Sequence, residues 1–302
     1  MDQTFFLAAN SGRGFASCYE DFPGRGVFLH IIKGGPGTGK SSFMRRIRDE
    51  AAVRGFDTES ILCSGDPDSL DAVSIPALGL AWVDGTAPHV REPVLFGEDS
   101  DYVNLGQFCR TPLPEVEREK AAALNTAYKA CYRDAYALLR EALDEAGTAE
   151  PALPRPGGGL RRRYLSAITC RGELRLTETL EKLCKQNYVF RDAASLAAAA
   201  EQAAAQGLDV IACPRPLDPG RLEAVLLPEL SLALLAPPPA ESAASLRARE
   251  RAAAKLREAK SLHDELEAVI RPFMDFAALD AFAERCLGAI FARGAEKTKA
   301  HL

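Results

Sequence analysis

Short runs rich in apolar residues predict buried strands in the first third of the chain. Residues 27–32 form one such run, and residues 58–63 and 80–84 form two more. A helical pattern follows the first run, because its apolar residues recur on one face while arginine and acidic residues occupy the other. That apolar face consists of Phe43, Met44, Ile47 and Ala51. Alternation of strands and helices predicts an α/β fold with a parallel sheet.

Longer helical patterns predict appendages on this framework. One long helix is expected to end near Gly147, and a charged helix is expected at 242–270, where Pro272 stops it. A shorter helix is expected at 275–292, and the alanine-rich run 193–205 predicts another, since alanine is the best helix former. Acidic residues accompany the basic ones of the charged helix, so we interpret its polar face as solvated rather than as a nucleic-acid surface.

Composition favours a two-domain protein of the cytoplasm. The 302 residues are 47% hydrophobic, enough for two cores. Lys+Arg 37 against Asp+Glu 42 gives a net charge of -5, which argues against a general DNA or RNA coat. No apolar run reaches the roughly 18 residues of a membrane span, and the N-terminus lacks the basic region of a signal peptide. The 8 cysteines include no Cys-x-x-Cys pair, which favours free thiols over a zinc ribbon.

A glycine-rich motif follows the first predicted strand. Residues 34–41 read GGPGTGKS, which fits the phosphate-loop pattern G-x-x-x-x-G-K-[ST] at every fixed position. Glycines let consecutive N–H groups point at phosphate oxygens, and the following helix directs its positive dipole end at the same anion. The alternative is an ordinary glycine-rich turn between a strand and a helix. The motif predicts ATP binding through Gly34, Gly35, Pro36, Gly37, Thr38, Gly39, Lys40, Ser41 and Ser42.

A magnesium site is predicted beside this loop. Lys40 would neutralise the β- and γ-phosphates of ATP, and Ser41 would be a ligand of Mg²⁺. Asp84 follows four apolar residues, as the metal-holding aspartate of a phosphate-loop protein does, although Asp84-Gly85 could instead start a turn. Gly85 stands where many motor-type ATPases have a catalytic glutamate. A group that activates water therefore has to come from elsewhere.

Candidates for that group lie in two loops. Asp66 and Asp68 follow the second predicted strand, at the edge where ligands bind in α/β sheets. Either carboxylate could position water or an acceptor hydroxyl, or could cap a helix. His89, shortly after Asp84, is a further candidate that could contact the γ-phosphate, or it is an ordinary hydrogen-bonding loop residue. The predicted catalytic residues are Lys40, Asp84 and Asp68.

The second half of the chain repeats the first. Eleven of the thirty residues at 55–84 are identical to those at 207–236 without a gap, where random pairing gives about two. The match continues upstream at a larger offset, so the second copy is shorter in the interval that holds the glycine loop. Residues 190–193 replace the loop there, and Ala236 stands opposite Asp84. We therefore predict a degenerate second copy and one ATP per chain.

The repeat also sets the predicted boundaries. A phosphate-loop domain with its long helix is expected at 1–149, a linker rich in proline and glycine at 150–163, and the degenerate copy with the C-terminal helices at 164–302. Asp66 recurs in the second copy as Asp218 although the loop is lost. This recurrence favours a structural role for Asp66.

Several stretches together resemble a known group of proteins. They are residues 6–11, 34–42, 63–71, 84–89 and 274–276. In these stretches the chain resembles internally duplicated P-loop ATP-binding proteins of bacteria, which are described as ATPases or nucleotide kinases. The resemblance implies nucleotide binding and identifies no further substrate. In that group the second copy can carry its own glycine loop, which this chain lacks.

These features predict a Mg²⁺-dependent ATP-binding protein that acts as an ATPase with one active site per chain. Two alternatives stay open. One is a kinase that transfers the γ-phosphoryl group to a small molecule or nucleotide, and the other is a nucleotide-gated scaffold with little turnover. The predicted partners are a nucleotide and a further small molecule or protein that the sequence does not identify.

Overall fold

The computed structural model describes residues 2–24, 26–147, 153–154, 159–239 and 241–299, so the predicted linker lies partly outside the described residues. The elements of the first half are β1 (Gln3–Phe6), β2 (Ala8–Ser11), β3 (Gly14–Ser17), β4 (Phe28–Lys33), α1 (Lys40–Val53), β5 (Glu59–Leu62), β6 (Leu70–Ile75), β7 (Leu80–Asp84), β8 (Ser100–Asn104) and α2 (Glu115–Ala146). Those of the second half are β9 (Leu160–Arg162), β10 (Ser166–Thr169), β11 (Gly172–Arg175), α3 (Thr177–Leu183), β12 (Gln186–Val189), α4 (Ala193–Ala205), β13 (Val210–Pro214), β14 (Leu222–Leu227), β15 (Leu232–Leu235), α5 (Ala243–Ile270) and α6 (Phe276–Lys299).

The first half is built on a six-stranded mixed sheet with the order β1-β5-β6-β7-β4-β8. Strand β6 runs antiparallel to β5 and β7, whereas β1 and β5, β7 and β4, and β4 and β8 pair in parallel. The α/β class predicted from the sequence is therefore confirmed, but the sheet is not purely parallel. The reason is that short turns join β5 to β6 and β6 to β7, whereas a parallel connection needs a crossover of a dozen or more residues.

The second sheet repeats the strand order of the first. Its order is β12-β15-β14-β13-β9, which matches β4-β7-β6-β5-β1 strand for strand and direction for direction. The register agrees as well, since Glu59 faces Ser74 and Ile211 faces Leu226, at positions equivalent in the repeat. Both hairpins also shift register at the equivalent place. The internal likeness detected in the sequence thus extends to the geometry of the two sheets.

The two halves meet at equivalent residues. Phe6 N–H donates to the Tyr164 carbonyl (3.0 Å), and Tyr164 N–H donates to the Phe6 carbonyl (2.8 Å). Phe6 and Tyr164 occupy the same place in the two copies, so this exchange has local two-fold character. One core cluster contains residues of both halves, including Phe5, Phe6, Leu165 and Ile211.

The long helices connect the halves a second time. Helices α2 and α5 pack along each other, with Ala135 and Leu139 against Ala252 and Leu256 in one cluster. The predicted bounds of these helices and of α4 agree with the structure to within a residue or two. Among the described residues, no helix is long and apolar enough to cross a membrane.

The C-terminal helix returns to the first half. Met274, Leu279 and Ala283 belong to the cluster that contains Phe43 and Met44 of α1. The sequence grouped this helix with the second half because it follows that half in the chain. Its apolar face is instead buried on α1, and the helix runs to Lys299 rather than ending near residue 292.

Candidate functional site

Residues 34–39 form a curled loop between the end of β4 and the start of α1. Gly37 (φ 74) and Gly39 (φ 84) have left-handed backbones, which glycine adopts without strain. Thr38 Oγ1 donates to the Gly35 carbonyl at 2.8 Å and closes the curl. Helix α1 begins at Lys40 with no capping side chain from Gly39. The N-terminal amides of α1 and its positive dipole end therefore face the loop, an arrangement that suits an anion.

Lys40 lies beneath this loop. Its Nζ donates to the carbonyls of Gly34 (2.7 Å) and Gly35 (3.0 Å) and lies 3.6 Å from Asp84 Oδ2. Both side chains are mostly buried. Strands β4 and β7 are parallel neighbours, with Ile32 paired to Asp84, and this register brings the predicted acid to the loop.

The oxygen donors expected to hold Mg²⁺ lie at the same edge. Ser41 Oγ, in the first turn of α1, accepts a hydrogen bond from Leu70 N–H at 2.9 Å. Asp84 Oδ1 accepts from Thr86 N–H at 2.9 Å, which leaves Oδ2 directed toward Lys40. Among the described residues, no group of three or more His, Cys, Asp or Glu could hold a metal. A hydroxyl and one carboxylate nevertheless fit Mg²⁺, which is commonly held by one or two carboxylates together with substrate phosphates.

Gly85 is fixed by close packing. A Cβ added there would lie 2.3 Å from Ile31 Cγ2, and Gly85 N–H donates to the Ile32 carbonyl at 2.9 Å. A glutamate after Asp84 would therefore require Ile31 or the backbone to shift.

A buried polar cluster that the sequence did not predict lies next to Asp84. Asp71, at the start of β6, is 6% exposed, and the Ala72–Val83 pair places it beside Asp84 at the sheet edge. Tyr19 Oη donates to Asp71 Oδ2 at 2.9 Å, and His89 Nε2 lies 3.4 Å from the same oxygen. Burial raises the pKa of the Asp71 carboxyl, the electrostatic interaction with His89 lowers this pKa, and that with Asp84 raises it.

His89 is held in this cluster by packing on two sides. Its ring centroid lies 4.6 Å from that of Tyr19 and 5.2 Å from that of Phe15. Its Nδ1 atom is buried and has no hydrogen-bond partner in the part of the chain that is described. A buried unpaired nitrogen is costly, and such groups occur at functional sites. The sequence drew attention to His89 but not to Asp71, whose only signal is that the second copy also has an acid there, Glu223.

Asp68 makes no hydrogen bond or ion pair with the glycine loop in the described part of the chain. It is exposed and forms an ion pair with Arg171 of the second half. Asp66 stabilises the turn, because its carboxylate accepts from Asp68 N–H (3.2 Å) and Ser69 Oγ (2.8 Å). The structural interpretation of Asp66 thus agrees with its contacts. The structure does not bring Asp68 together with Lys40 and Asp84.

Helix α5 contributes a second feature that the sequence missed. Gly37 N–H donates to Glu267 Oε1 at 3.3 Å, so a carboxylate of the second half reaches the glycine loop. His263 Nδ1 lies 3.8 Å from the same oxygen. Burial lowers the pKa of His263, and the nearby Glu267 raises it. The charged pattern of α5 predicted a solvated face, and only the tertiary fold reveals this contact.

The segment of the second half that is equivalent to the glycine loop has a different structure. Residues 190–192 lead directly from β12 into α4, and Asp192 caps the helix by accepting from Ser195 N–H at 2.7 Å. A carboxylate therefore occupies the helix start that an anion would need.

The described residues thus define a mixed α/β protein with a glycine loop between strand and helix and an acidic strand end beside it. Comparison of the chain with known protein families, curated proteins and solved structures finds no match.

Proposed function

We propose that the chain binds one Mg-ATP in the loop at residues 34–42 and hydrolyses it slowly. The observation that carries the proposal is the contact of Lys40 Nζ with Asp84 Oδ2, 3.6 Å apart beneath the loop. A lysine and a metal-holding carboxylate meet in this way where a strand, a glycine loop and a helix start converge on a nucleotide phosphate. The degenerate connection in the second half supports a single site.

Each polar group of the loop has a role in this proposal. Loop amides and the first amides of α1 donate to phosphate oxygens, and Lys40 exchanges the carbonyls of Gly34 and Gly35 for the β- and γ-phosphates. Ser41 and Asp84 would hold Mg²⁺, which would supply charge neutralisation at the transferring phosphoryl group. Preorganised donors of this kind favour the transition state electrostatically.

His89 is proposed to position the attacking water. Asp71 fixes the ring through Nε2, and Nδ1 has no partner among the described residues. A ring nitrogen held in this way by a carboxylate follows the logic of an oriented base. Asp68 is paired with Arg171 and has no such role in the proposal.

One further observation favours the nucleotide-gated alternative. Glu267 of α5 contacts the loop, and α5 packs along α2. Nucleotide binding in the loop could therefore be coupled to the position of α5 and α2, whether or not hydrolysis is fast.

The test is phosphate release from Mg-ATP by the purified chain. We expect slow release without added acceptor, abolished in Lys40→Ala and retained in Lys182→Ala, a matched change at an exposed position of α3. ATP consumption that appears only with added metabolites would instead identify a kinase. Equal phosphate release by the wild type and Lys40→Ala would show that the loop has no part in hydrolysis.

A further inference from the structure

The last turns of α5 lie directly against the glycine loop. Glu267 Oε1 accepts from Gly37 N–H, and the two backbones are also in contact. A Cβ added to Gly37 would lie 3.1 Å from the Glu267 carbonyl oxygen and 3.2 Å from its Cα. A side chain at this point would press on the backbone of α5 and strain the left-handed backbone, so the glycine permits the approach of Glu267.

The contact continues along α6. A Cβ at Gly39 would lie 3.1 Å from Leu279 Cδ2, and the rings of Phe43 and Phe282 stack with centroids 6.2 Å apart. Loop and α1 are thus covered by one continuous segment, from Glu267 to α6. This segment belongs to the second half in sequence and to the nucleotide site in space.

The charge of Glu267 is the unusual part of this cover. A backbone N–H of a phosphate loop is an anion donor, and here its acceptor is a side-chain carboxylate. Lys40 at the same time donates to loop carbonyls, so both groups that would bind phosphate, the Gly37 N–H and the Lys40 ammonium, already have partners within the protein. Burial lowers the pKa of the neighbouring His263, so at neutral pH that ring brings no full positive charge to offset the carboxylate.

We propose that Glu267 is an internal substitute for phosphate, which the nucleotide displaces when it binds. This inference rests on the proposed nucleotide site and adds its regulation. While Glu267 occupies the Gly37 N–H, in what we call the closed form, this amide cannot bind a phosphate. The apparent dissociation constant of the nucleotide is therefore inversely proportional to the fraction of molecules in which Glu267 has left the loop, the open form. Helix α5 packs along α2, so a partner that binds this helix pair and holds α5 away from the loop raises nucleotide affinity. By reciprocity, nucleotide binding raises the affinity for that partner.

Charge-removing and side-chain-removing variants test this contact. Glu267→Gln and Glu267→Ala are compared with Glu265→Gln, a matched change at an exposed position of the same helix. Affinity for a non-hydrolysable Mg-ATP analogue is measured by calorimetry, and association and dissociation rates by stopped flow with a fluorescent analogue. We expect about tenfold tighter binding for Glu267→Ala, a smaller gain for Glu267→Gln and none for Glu265→Gln.

The kinetics separate displacement from other roles. If Glu267 blocks the loop, the gain lies in a faster association rate with an unchanged dissociation rate. Equal affinity of Glu267→Ala and wild type, weaker binding by the variant, or a gain confined to dissociation would each overturn the inference while the proposed function stands. No binding by wild type and Glu267→Ala alike would overturn both.

Discussion

At the residue scale, the site separates into groups that are close in sequence and groups that the fold brings together. Lys40 and Ser41 follow the glycines directly, and the strand neighbour Asp84 was found by its pattern. Asp71 and Glu267 were not predictable, because their positions depend on the β6 hairpin and on where α5 ends. Asp68 pairs with Arg171 of the second half, a partner that its place in the sequence does not indicate.

The position of His89 gives a prediction about turnover. His89→Ala should lower ATP turnover about a hundredfold while leaving affinity for a non-hydrolysable analogue unchanged, because the ring positions water and not the nucleotide. His89→Gln should recover part of the loss, since an amide can also orient water.

Asp68→Asn is the matched control for this experiment. Its exposed carboxylate pairs with Arg171 and contacts neither Lys40 nor Asp84 among the described residues, so turnover should not change. Slow turnover in Asp68→Asn with normal turnover in His89→Ala would contradict the geometry and favour the assignment made from sequence alone.

At the element scale, periodicity predicted α2, α4 and α5 well because a helical face is a local property of the chain, but it did not predict the short α3. The bounds of α2, α4 and α5 could be predicted from spacing, proline and alanine alone. The direction of the strands could not be predicted from their apolar pattern. The turns around β6 are short, and that length, rather than the apolar pattern of the strands, makes the sheet mixed.

One of these turns gives a prediction about stability. After β6, a single turn of 3-10 helix ends at Gly79 (φ 65), and its counterpart in the second half ends at Ser231 (φ 50). Gly79→Ala should lower the free energy of unfolding by about 1 kcal/mol, because left-handed backbone disfavours a side chain. Steric clash contributes little, since the nearest atom to the new Cβ, the Gly26 carbonyl oxygen, is 3.7 Å away.

Urea unfolding measures this change, with Gly288→Ala in α6 as control. A Cβ at Gly288 meets nothing within 4 Å, so alanine should stabilise that helix by about 1 kcal/mol. If both glycine substitutions changed the free energy of unfolding in the same direction, the result would contradict the assigned backbone conformations.

At the scale of the whole molecule, the sequence repeat predicted the two halves but not how they are joined. Phe6 and Tyr164 pair across the junction, and Arg13 and Arg171 each reach an aspartate of the other half. The return of α6 to α1 has no counterpart in the repeat. Such long-range packing depends on which apolar faces lack a local partner, and the chain order does not specify this.

The junction also contains a buried ion pair. Arg163 is fully buried, and its Nε donates to Glu59 Oε1 at 2.6 Å. Glu59→Gln should lower the free energy of unfolding by about 3 kcal/mol, because it leaves the buried guanidinium charge uncompensated. Arg13→Ala, which breaks the pair between a half-exposed arginine and the buried Asp218, should cost less than Glu59→Gln, about 1 kcal/mol. Similar losses in the two variants on urea unfolding would contradict this contrast.

The central claim, that the loop at 34–42 is the one nucleotide site of the chain, is tested most directly by a calorimetric titration with a non-hydrolysable Mg-ATP analogue. The account predicts a stoichiometry of one per chain, binding that is lost in Lys40→Ala and binding that is unaffected in Lys182→Ala. Two sites per chain, or equal binding by wild type and Lys40→Ala, would contradict it.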